Sequence, residues 1–313
     1  MRRYALLLAL LIAIVPAAPA NAGPPPSGYW LVAGDGGVFG FGVPFFGSAA
    51  SDPTKCPPNV VDRQHPTGQC FAIASTPTGR GYWILNGDKG AIYRFGDAGA
   101  YGDPATLHAG ESREFLPTGE AIVSTPTGHG YWVLESGLSG AGAVEHFGDA
   151  AFFGDTVHLA ETTHRGFNGV PVALAATRDG KGYWEVHSDG GVFGFGDAHF
   201  YGSVPGLPQL ADAPAPGIVG IAPTITGKGY WLVSRTGQVF PFGDAAHFSD
   251  VSNIHLAAPI VGVTRNPTGK GIWLAAADGG VFGLGGAPFL GSMGGKPLHQ
   301  PVFGITTRGF VIA

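Results

Sequence analysis

The sequence predicts an all-β fold, and within that class a β-propeller. A Tyr-Trp or Ile-Trp pair recurs six times along the 313 residues, and these copies contain all six tryptophans of the chain. The copies follow one another at intervals of about 40 to 50 residues, which is typical of one supersecondary unit repeated in tandem. Glycine contributes 54 residues, as expected for many short strands joined by tight turns.

The N-terminus has the pattern of a cleaved secretion signal over residues 1–22. Its parts are a positive start at Arg2-Arg3, an apolar run from Ala5 to Val15, and small residues at Ala20-Asn21-Ala22. We therefore expect a secreted or cell-envelope protein. Residues 23–27 form a Pro-rich spacer, and no apolar stretch of membrane-spanning length follows in the mature chain.

Residues 28–313 form a single repeat domain, and each repeat predicts four short antiparallel strands, A to D. Strand A is an apolar run that ends in a turn such as Thr-Pro-Thr-Gly, and strand B carries the Tyr-Trp pair. An Asp-Gly turn then leads into strand C, which begins with Val-Phe and closes with Phe-Gly-Asp-Ala in most repeats. Strand D is a short aromatic segment, as at Phe45–Ser48, Tyr101–Gly102, Phe152–Gly154, Phe200–Gly202 and Phe289–Gly291.

The order of the strands predicts how the propeller closes. The domain starts at strand B and has an extra strand A at Val302–Thr307, which can complete the first blade and remove an open sheet edge. Six four-stranded blades are the prediction. Phe310–Ile312 resembles a further strand B, so either it or Tyr29–Leu31 must be displaced. Seven blades are the alternative.

These motifs resemble the Gly-Tyr-Trp-Leu-Val, Asp-Gly-Gly-Val-Phe, Phe-Gly-Asp-Ala and Phe-Tyr-Gly-Ser tandem repeat of secreted actinobacterial proteins. The resemblance covers nearly all of Gly28 to Ala313. The alternation of a Gly-bounded aromatic strand, Asp-Gly and Val-Phe is also similar to the regulator-of-chromosome-condensation repeat, a propeller family. That second resemblance implies the fold only, and neither assigns an activity to particular residues.

Composition excludes some partners and bounds the cysteine chemistry. Charged residues make up 12% of the chain and the net charge is −5, without a basic cluster, so no nucleic-acid partner is expected. Cys56 and Cys70 are the two cysteines, and in an exported chain they predict a disulfide, with two free thiols as the alternative. Two cysteines do not complete a metal site.

The tryptophans are predicted to be structural, because both faces of a blade are buried against its neighbours. These core positions are Trp30, Trp83, Trp132, Trp184, Trp231 and Trp273. The aspartates of Phe-Gly-Asp-Ala are expected to cap their own turns rather than to hold calcium. The 11 histidines follow no common register, so neither a metal nor a cofactor is predicted.

Ionisable residues replace apolar ones at a few template positions in the middle repeats. Glu145 stands where other C strands have Phe or Tyr, and Glu185 where other B strands have Leu, Ile or Val. A buried carboxylate is costly unless it is paired, so these departures mark candidate ligand-binding residues. With their neighbours the candidates are Arg94, Glu135, Glu145, His146, Glu185 and His187.

We expect a monomeric, non-enzymatic propeller that binds a cell-envelope glycan or protein through loops on one face. The basis is a fixed repeat frame with inserts at Ala49–Gln69, Pro104–Gly119 and Thr156–Gly169. One alternative is a secreted hydrolase or lyase that uses Glu145 and Glu185 as a carboxylate pair. The other alternative is a purely structural envelope protein.

Overall fold

The computed structural model describes residues 27–57, 69–110, 118–136, 140–210 and 215–308. Within these residues the fold is all-β, with six three-stranded antiparallel sheets and two short helices. The strands are β1 (Tyr29–Ala33), β2 (Val38–Phe41), β3 (Cys70–Ser75), β4 (Gly81–Asn86), β5 (Ile92–Gly96), β6 (Thr118–Ser124), β7 (Gly130–Ser136), β8 (Gly142–Gly148), β9 (Pro171–Ala176), β10 (Gly182–His187), β11 (Val192–Gly196), β12 (Ile218–Pro223), β13 (Gly229–Ser234), β14 (Val239–Gly243), β15 (Ile260–Arg265), β16 (Ile272–Ala276), β17 (Val281–Leu284) and β18 (Val302–Thr307).

Each sheet contains strands A, B and C of one repeat, with the Tyr-Trp strand in the middle. Sheet 1 is β18-β1-β2, sheet 2 is β3-β4-β5, sheet 3 is β6-β7-β8, sheet 4 is β9-β10-β11, sheet 5 is β12-β13-β14 and sheet 6 is β15-β16-β17. In sheet 1, β18 pairs with β1 so that Ile305 lies opposite Leu31, as predicted for the extra strand A. The expected signal at 1–22 and the possible strand at 310–312 lie outside the described residues.

Strand B is buried on both faces in every sheet, which explains why its sequence does not alternate between apolar and polar residues. In β4 all six residues are buried, and β1, β10, β13 and β16 are buried throughout as well. The following Asp-Gly turn is held by the aspartate. In sheet 1, Asp35 Oδ1 accepts a hydrogen bond of 2.9 Å from the Gly37 N–H. Gly36 has φ +78°, a backbone conformation that favours glycine.

In sheets 2, 3 and 5 the Phe-Gly-Asp-Ala aspartate bonds the turn between strands A and B instead of capping its own turn, in contrast to the prediction. In sheet 2, Asp97 accepts hydrogen bonds from the hydroxyls of Thr76 (2.8 Å) and Thr78 (2.5 Å), which belong to the turn between strands A and B. Asp149 and Asp244 contact the corresponding threonine pairs in sheets 3 and 5. The aspartate therefore ties two turns of one sheet together.

The predicted fourth strand is not formed in any described sheet. The segments that follow strand C have no ladder. At five of the six interfaces a tyrosine hydroxyl of the next sheet bonds the backbone of this segment. Tyr82 Oη donates to the Gly47 carbonyl at 2.5 Å and accepts from the Phe46 N–H at 3.2 Å. Gly47 has φ +126°, and a Cβ there would lie 2.7 Å from the ring of Phe95, so glycine is required.

Neighbouring sheets meet through their tryptophan and tyrosine rings. The tryptophan of one B strand packs on the tyrosine of the next, as between Trp83 and Tyr131, whose ring centroids are 5.5 Å apart. The same contact joins Trp30 to Tyr82, Trp132 to Tyr183, Trp184 to Tyr230 and Trp273 to Tyr29. At the remaining interface, Trp231 packs in one cluster with Ile272. All six tryptophans are buried.

The six sheets surround a cavity of about 210 Å³ that residues of all six inner strands line. Each inner strand contacts the inner strand of the next sheet, and β18 contacts both β15 and β3. Sheets arranged in this way around a central cavity form a β-propeller. Arg265 lies at one end of this cavity, where burial and the nearby Arg178 lower its pKa to about 10.

Substituting one tryptophan tests the packing between sheets. Trp83→Ala should lower the free energy of unfolding by about 3 to 5 kcal/mol, because it leaves a large cavity between sheets 2 and 3. It also removes the 2.8 Å hydrogen bond from Trp83 Nε1 to the Gly99 carbonyl. Urea denaturation monitored by circular dichroism measures the change.

The matched control is Phe45→Ala, because Phe45 is an aromatic residue with 61% of its surface exposed. Its effect should stay within about 0.5 kcal/mol. Equal losses of stability in the two variants would contradict the packing described for the tryptophan.

Candidate functional site

The connectors between successive sheets all begin on one face of the propeller, which we call the insert face. In five sheets the backbone N–H at the start of the connector donates to a carbonyl of the turn between strands B and C. The pairs are Ala49 to Gly36, Ala105 to Gly90, Val204 to Gly190, Val251 to Gly237 and Met293 to Gly279. In sheet 3, the Gly142 N–H donates to the Thr156 hydroxyl at the start of the third insert. The described starts of the three inserts therefore share this face with the B–C turns.

The first insert is fixed by a disulfide and a short turn. A 3-10 turn at Ala49–Ser51 starts the connector, and Cys56 and Cys70 form the predicted disulfide, which confirms that pairing. Both cysteines are buried in the cluster between sheets 1 and 2. Residues 58–68 of this insert lie outside the described residues.

The second and third inserts each begin with a helix, which the sequence analysis did not predict. Helix α1 is Pro104–Leu107 and helix α2 is Thr156–Thr163. Aspartates cap both N-termini: Asp103 accepts from the Thr106 N–H and Asp155 from the His158 N–H. Such caps satisfy backbone donors that have no partner within the helix. Residues 111–117 of the second insert are outside the described part.

Three ionisable side chains meet where the second insert contacts sheet 3. His108 ends helix α1, Glu135 is near the end of β7, and Glu145 is in β8. His108 Nε2 is 3.6 Å from Glu135 Oε2 and 3.9 Å from Glu145 Oε1. We call these residues the His-Glu-Glu cluster. In the described part of the chain, this group alone brings three ligand-type side chains within 4.8 Å of one another.

The two carboxylates of the cluster project from the same face of sheet 3. Ala143 lies opposite Glu135 in the ladder, and Glu145 is two residues further along β8. Diagonal neighbours of this kind are within reach of long side chains, and like charges so placed repel each other. Glu145 has 26% of its side chain exposed, whereas Glu135 has 2% exposed.

The surroundings of Glu135 favour its neutral form. Burial is the largest effect and raises the pKa of Glu135 to about 7, against an ordinary value of 4.5. His108 acts in the opposite direction, and the nearby Glu145 adds to the rise. Glu135 is therefore a carboxyl whose charge changes near neutral pH.

Glu185 and His187 belong to a separate, fully buried network. Glu185 Oε1 accepts from the Thr156 hydroxyl at 2.5 Å and lies 2.9 Å from His187 Nε2, while Glu185 Oε2 accepts from the Thr156 N–H at 3.1 Å. His187 Nδ1 lies 3.0 Å from the Gly169 carbonyl. The network fixes the start of helix α2 and the end of the third insert to sheet 4.

The structure places Glu145 and Glu185 on opposite faces of sheet 3, so it does not bring together the pair considered for acid–base chemistry. A Cβ at Gly142 of β8 would lie 2.3 Å from Glu185 Oε1. Side chains alternate along a strand, so Glu145, three residues on, projects from the other face, where His108 contacts it.

The two remaining candidates lie on the surface, outside both groups. Arg94 is an exposed residue of β5, opposite Trp83 in the ladder. His146 is exposed and stacks on Phe152, with ring centroids 5.8 Å apart. Neither residue contacts the His-Glu-Glu cluster through a described hydrogen bond or ion pair.

His108 and Thr156 are the participants that the candidate set lacked. His108 had been grouped with other connector histidines that share no register. The available signal was its position: it follows strand D of the second repeat, directly before the repeat that contains Glu135 and Glu145. Thr156 carried no signal beyond its place at the start of an insert.

Comparison with known proteins supports the fold and leaves the function open. No family model matches the chain, and no curated protein matches its sequence. A chain in the crystal structure of a nidogen/laminin complex is similar in structure, with a TM-score of 0.53 and 11% identity over 90% of this chain and 98% of that chain. A β-propeller domain, that of Cps50 (Swd1) from Myceliophteria thermophila, is similar with a TM-score of 0.43 and 11% identity, over 75% of this chain and 76% of that chain.

At these identities the likeness concerns the fold alone. With its six sheets around one cavity, the chain is a β-propeller. Among the described residues, no helix has the length and apolar character needed to cross a membrane.

The raised pKa of Glu135 predicts that the stability of the metal-free protein depends on pH. The folded pKa of Glu135 is raised, so between about pH 4.5 and 7 the folded state keeps a proton that the unfolded state has released. Stability should fall as the pH rises through this window. Glu135→Gln, which stays neutral, should gain stability relative to the parent by on the order of 3 kcal/mol between pH 4 and pH 8.

Urea titrations at several pH values, in a buffer with EDTA, measure this difference. The comparison of the parent with the glutamine variant at each pH isolates the contribution of Glu135. Parallel stability profiles for the parent and the variant would contradict the raised pKa.

Proposed function

We propose that the chain is a secreted, closed six-bladed β-propeller that binds a glycan or protein partner of the cell envelope through the insert face. The observation that carries the proposal is the placement of all three inserts on one face, over sheets 1 to 3. Binding residues are found disproportionately on loops that a rigid scaffold positions.

The described parts of the inserts are held by specific contacts, which favours recognition over a role as mere spacers. The first has a disulfide, the second contributes His108 to the His-Glu-Glu cluster, and the third is held by Glu185 through Thr156. A surface that is ordered before binding loses less conformational entropy when a partner docks.

Secretion is supported by the N-terminal pattern at residues 1–22 and by the disulfide, because disulfides persist in oxidising compartments. Closure is supported by the pairing of β18 with β1 and by the contact of Trp273 with Tyr29. The similar chain in a nidogen/laminin complex comes from an assembly of proteins, and this favours a protein as the partner.

A pair of matched double variants tests which face binds. The insert-face variant is Leu107→Asp with Glu161→Lys, and the opposite-face control is Ile225→Asp with Lys228→Glu. Each replaces one exposed aliphatic residue and reverses one exposed charge. The purified proteins are sedimented with isolated cell walls and with an envelope protein extract.

The insert-face variant should lose binding by about tenfold or more, as expected for loss of buried contacts at an interface. The control should bind like the parent. Retention on purified wall polymer identifies a glycan, and capture of one defined protein identifies a protein partner. Equal binding by both variants, or an effect confined to the control, would contradict the use of the insert face.

A further inference from the structure

The structure assigns a second property to the insert face: we propose that the His-Glu-Glu cluster is a binding site for one divalent transition-metal ion, with Zn²⁺ as the best fit. His108 Nε2, Glu135 and Glu145 would be the protein ligands. This inference goes beyond the proposed function and does not depend on the identity of the envelope partner.

The types of ligand suit such an ion. One imidazole nitrogen and two carboxylates form a mixed nitrogen and oxygen set, which Zn²⁺ accepts in tetrahedral sites. Ca²⁺ and Mg²⁺ prefer oxygen ligands only, so the histidine favours a transition metal. Three protein ligands leave one tetrahedral position for water or for an oxygen of a bound partner.

The distances are those of an open site that contracts slightly around an ion. Zn–N and Zn–O bonds of about 2.0 to 2.2 Å place neighbouring tetrahedral ligand atoms about 3.3 Å apart. His108 Nε2 lies 3.6 Å and 3.9 Å from its two carboxylate neighbours. The ligand atoms of all three residues lie within 4.8 Å of one another, so a modest contraction of the side chains would bring them into contact with one ion.

The carboxylate of Glu135 has an unsatisfied oxygen that a cation would satisfy. Its side chain is 2% exposed, and within the described part of the chain its Oε2 has no hydrogen-bond partner. The 3.6 Å separation from His108 is too long for a good hydrogen bond. A buried oxygen in this state costs free energy, and a cation between Glu135, Glu145 and His108 would remove that cost and the repulsion between the carboxylates.

The backbone supports a preformed site. Glu135 and Glu145 come from adjacent paired strands of one sheet, which fixes their relative position. His108 comes from the connector that follows sheet 2, at the end of a helix whose N-terminus Asp103 caps. The ion would therefore attach the second insert to sheet 3, while the partly exposed Glu145 leaves access for entry of the metal.

The third insert provides a matched comparison. His158 of helix α2 also lies beside a carboxylate, with 2.7 Å between His158 Nδ1 and Asp155 Oδ1. That pair is a capping interaction on an exposed histidine, and no second carboxylate among the described residues completes a group of three there. His158→Ala is therefore the control for unspecific binding to surface histidines.

The test is titration of the purified protein, without a polyhistidine tag and after EDTA treatment, with ZnCl₂ in a calorimeter. We expect one equivalent of Zn²⁺ to bind per chain and to raise the thermal unfolding temperature. Glu135→Gln and His108→Ala should each weaken binding by about 100-fold or more, since changes in the outer shell alone cost up to about 100-fold. His158→Ala should bind like the parent.

Glu145→Gln provides the same test at a more exposed position than Glu135, where the substitution disturbs the fold less, and it should also weaken zinc binding. CoCl₂ gives an independent readout: visible absorption of a four- or five-coordinate Co²⁺ complex in the parent, and its loss in the glutamine variants. Absence of saturable zinc binding, or binding that survives in both glutamine variants, would overturn the proposal. Loss of binding in His158→Ala would do the same.

Discussion

The contact between a tryptophan and the tyrosine of the next sheet is the interaction on which the rest of this propeller depends. A three-stranded sheet with a central strand buried on both faces cannot be stable alone, since both faces need apolar cover. The indole packs on the neighbouring phenol, and the tyrosine hydroxyl reaches back to the backbone of the preceding sheet, as Tyr183 does to Gly154. Each sheet therefore completes the core and the hydrogen bonding of its neighbours.

The sequence predicted most of this frame because its signals are local and repeated. The six sheets, the strand order and the partner of β1 agree with the positions of apolar runs and Asp-Gly turns. The absence of the fourth strand could not be predicted from these local signals. Its aromatic sequence is typical of a strand, but hydrogen bonding decides strand formation, and at five of the six interfaces a tyrosine of the next sheet bonds that backbone. The remaining segment also lacks a ladder, although Ile272 stands in place of the tyrosine and Ser249 in place of the glycine.

The candidate site was predictable only in part. Glu135 and Glu145 were marked because carboxylates stood in or beside apolar template positions, and both belong to the cluster. Comparing equivalent positions of the repeats shows where a charged residue replaces an apolar one, but it does not show which residue is the partner of that charge. His108 comes from a connector outside the repeat register, and Thr156 looks like any helix-starting residue. Glu185 also replaces an apolar residue of the repeat, as Glu145 does. It is fully buried, however, and its partners hold an insert in place.

The pairing of β18 with β1 has a consequence for how the chain acquires its structure during synthesis. Thr307 Oγ1 donates to the Gly28 carbonyl across 279 residues. Strand β1 is therefore synthesised long before its partner β18. Sheets 2 to 6 can assemble from contiguous segments as they emerge, but β1 lacks one neighbour until residues 302–307 have been made. Contacts between such distant residues form slowly, because the intervening chain must be closed into a loop. Sheet 1 is therefore completed in a late step, when β18 pairs with β1.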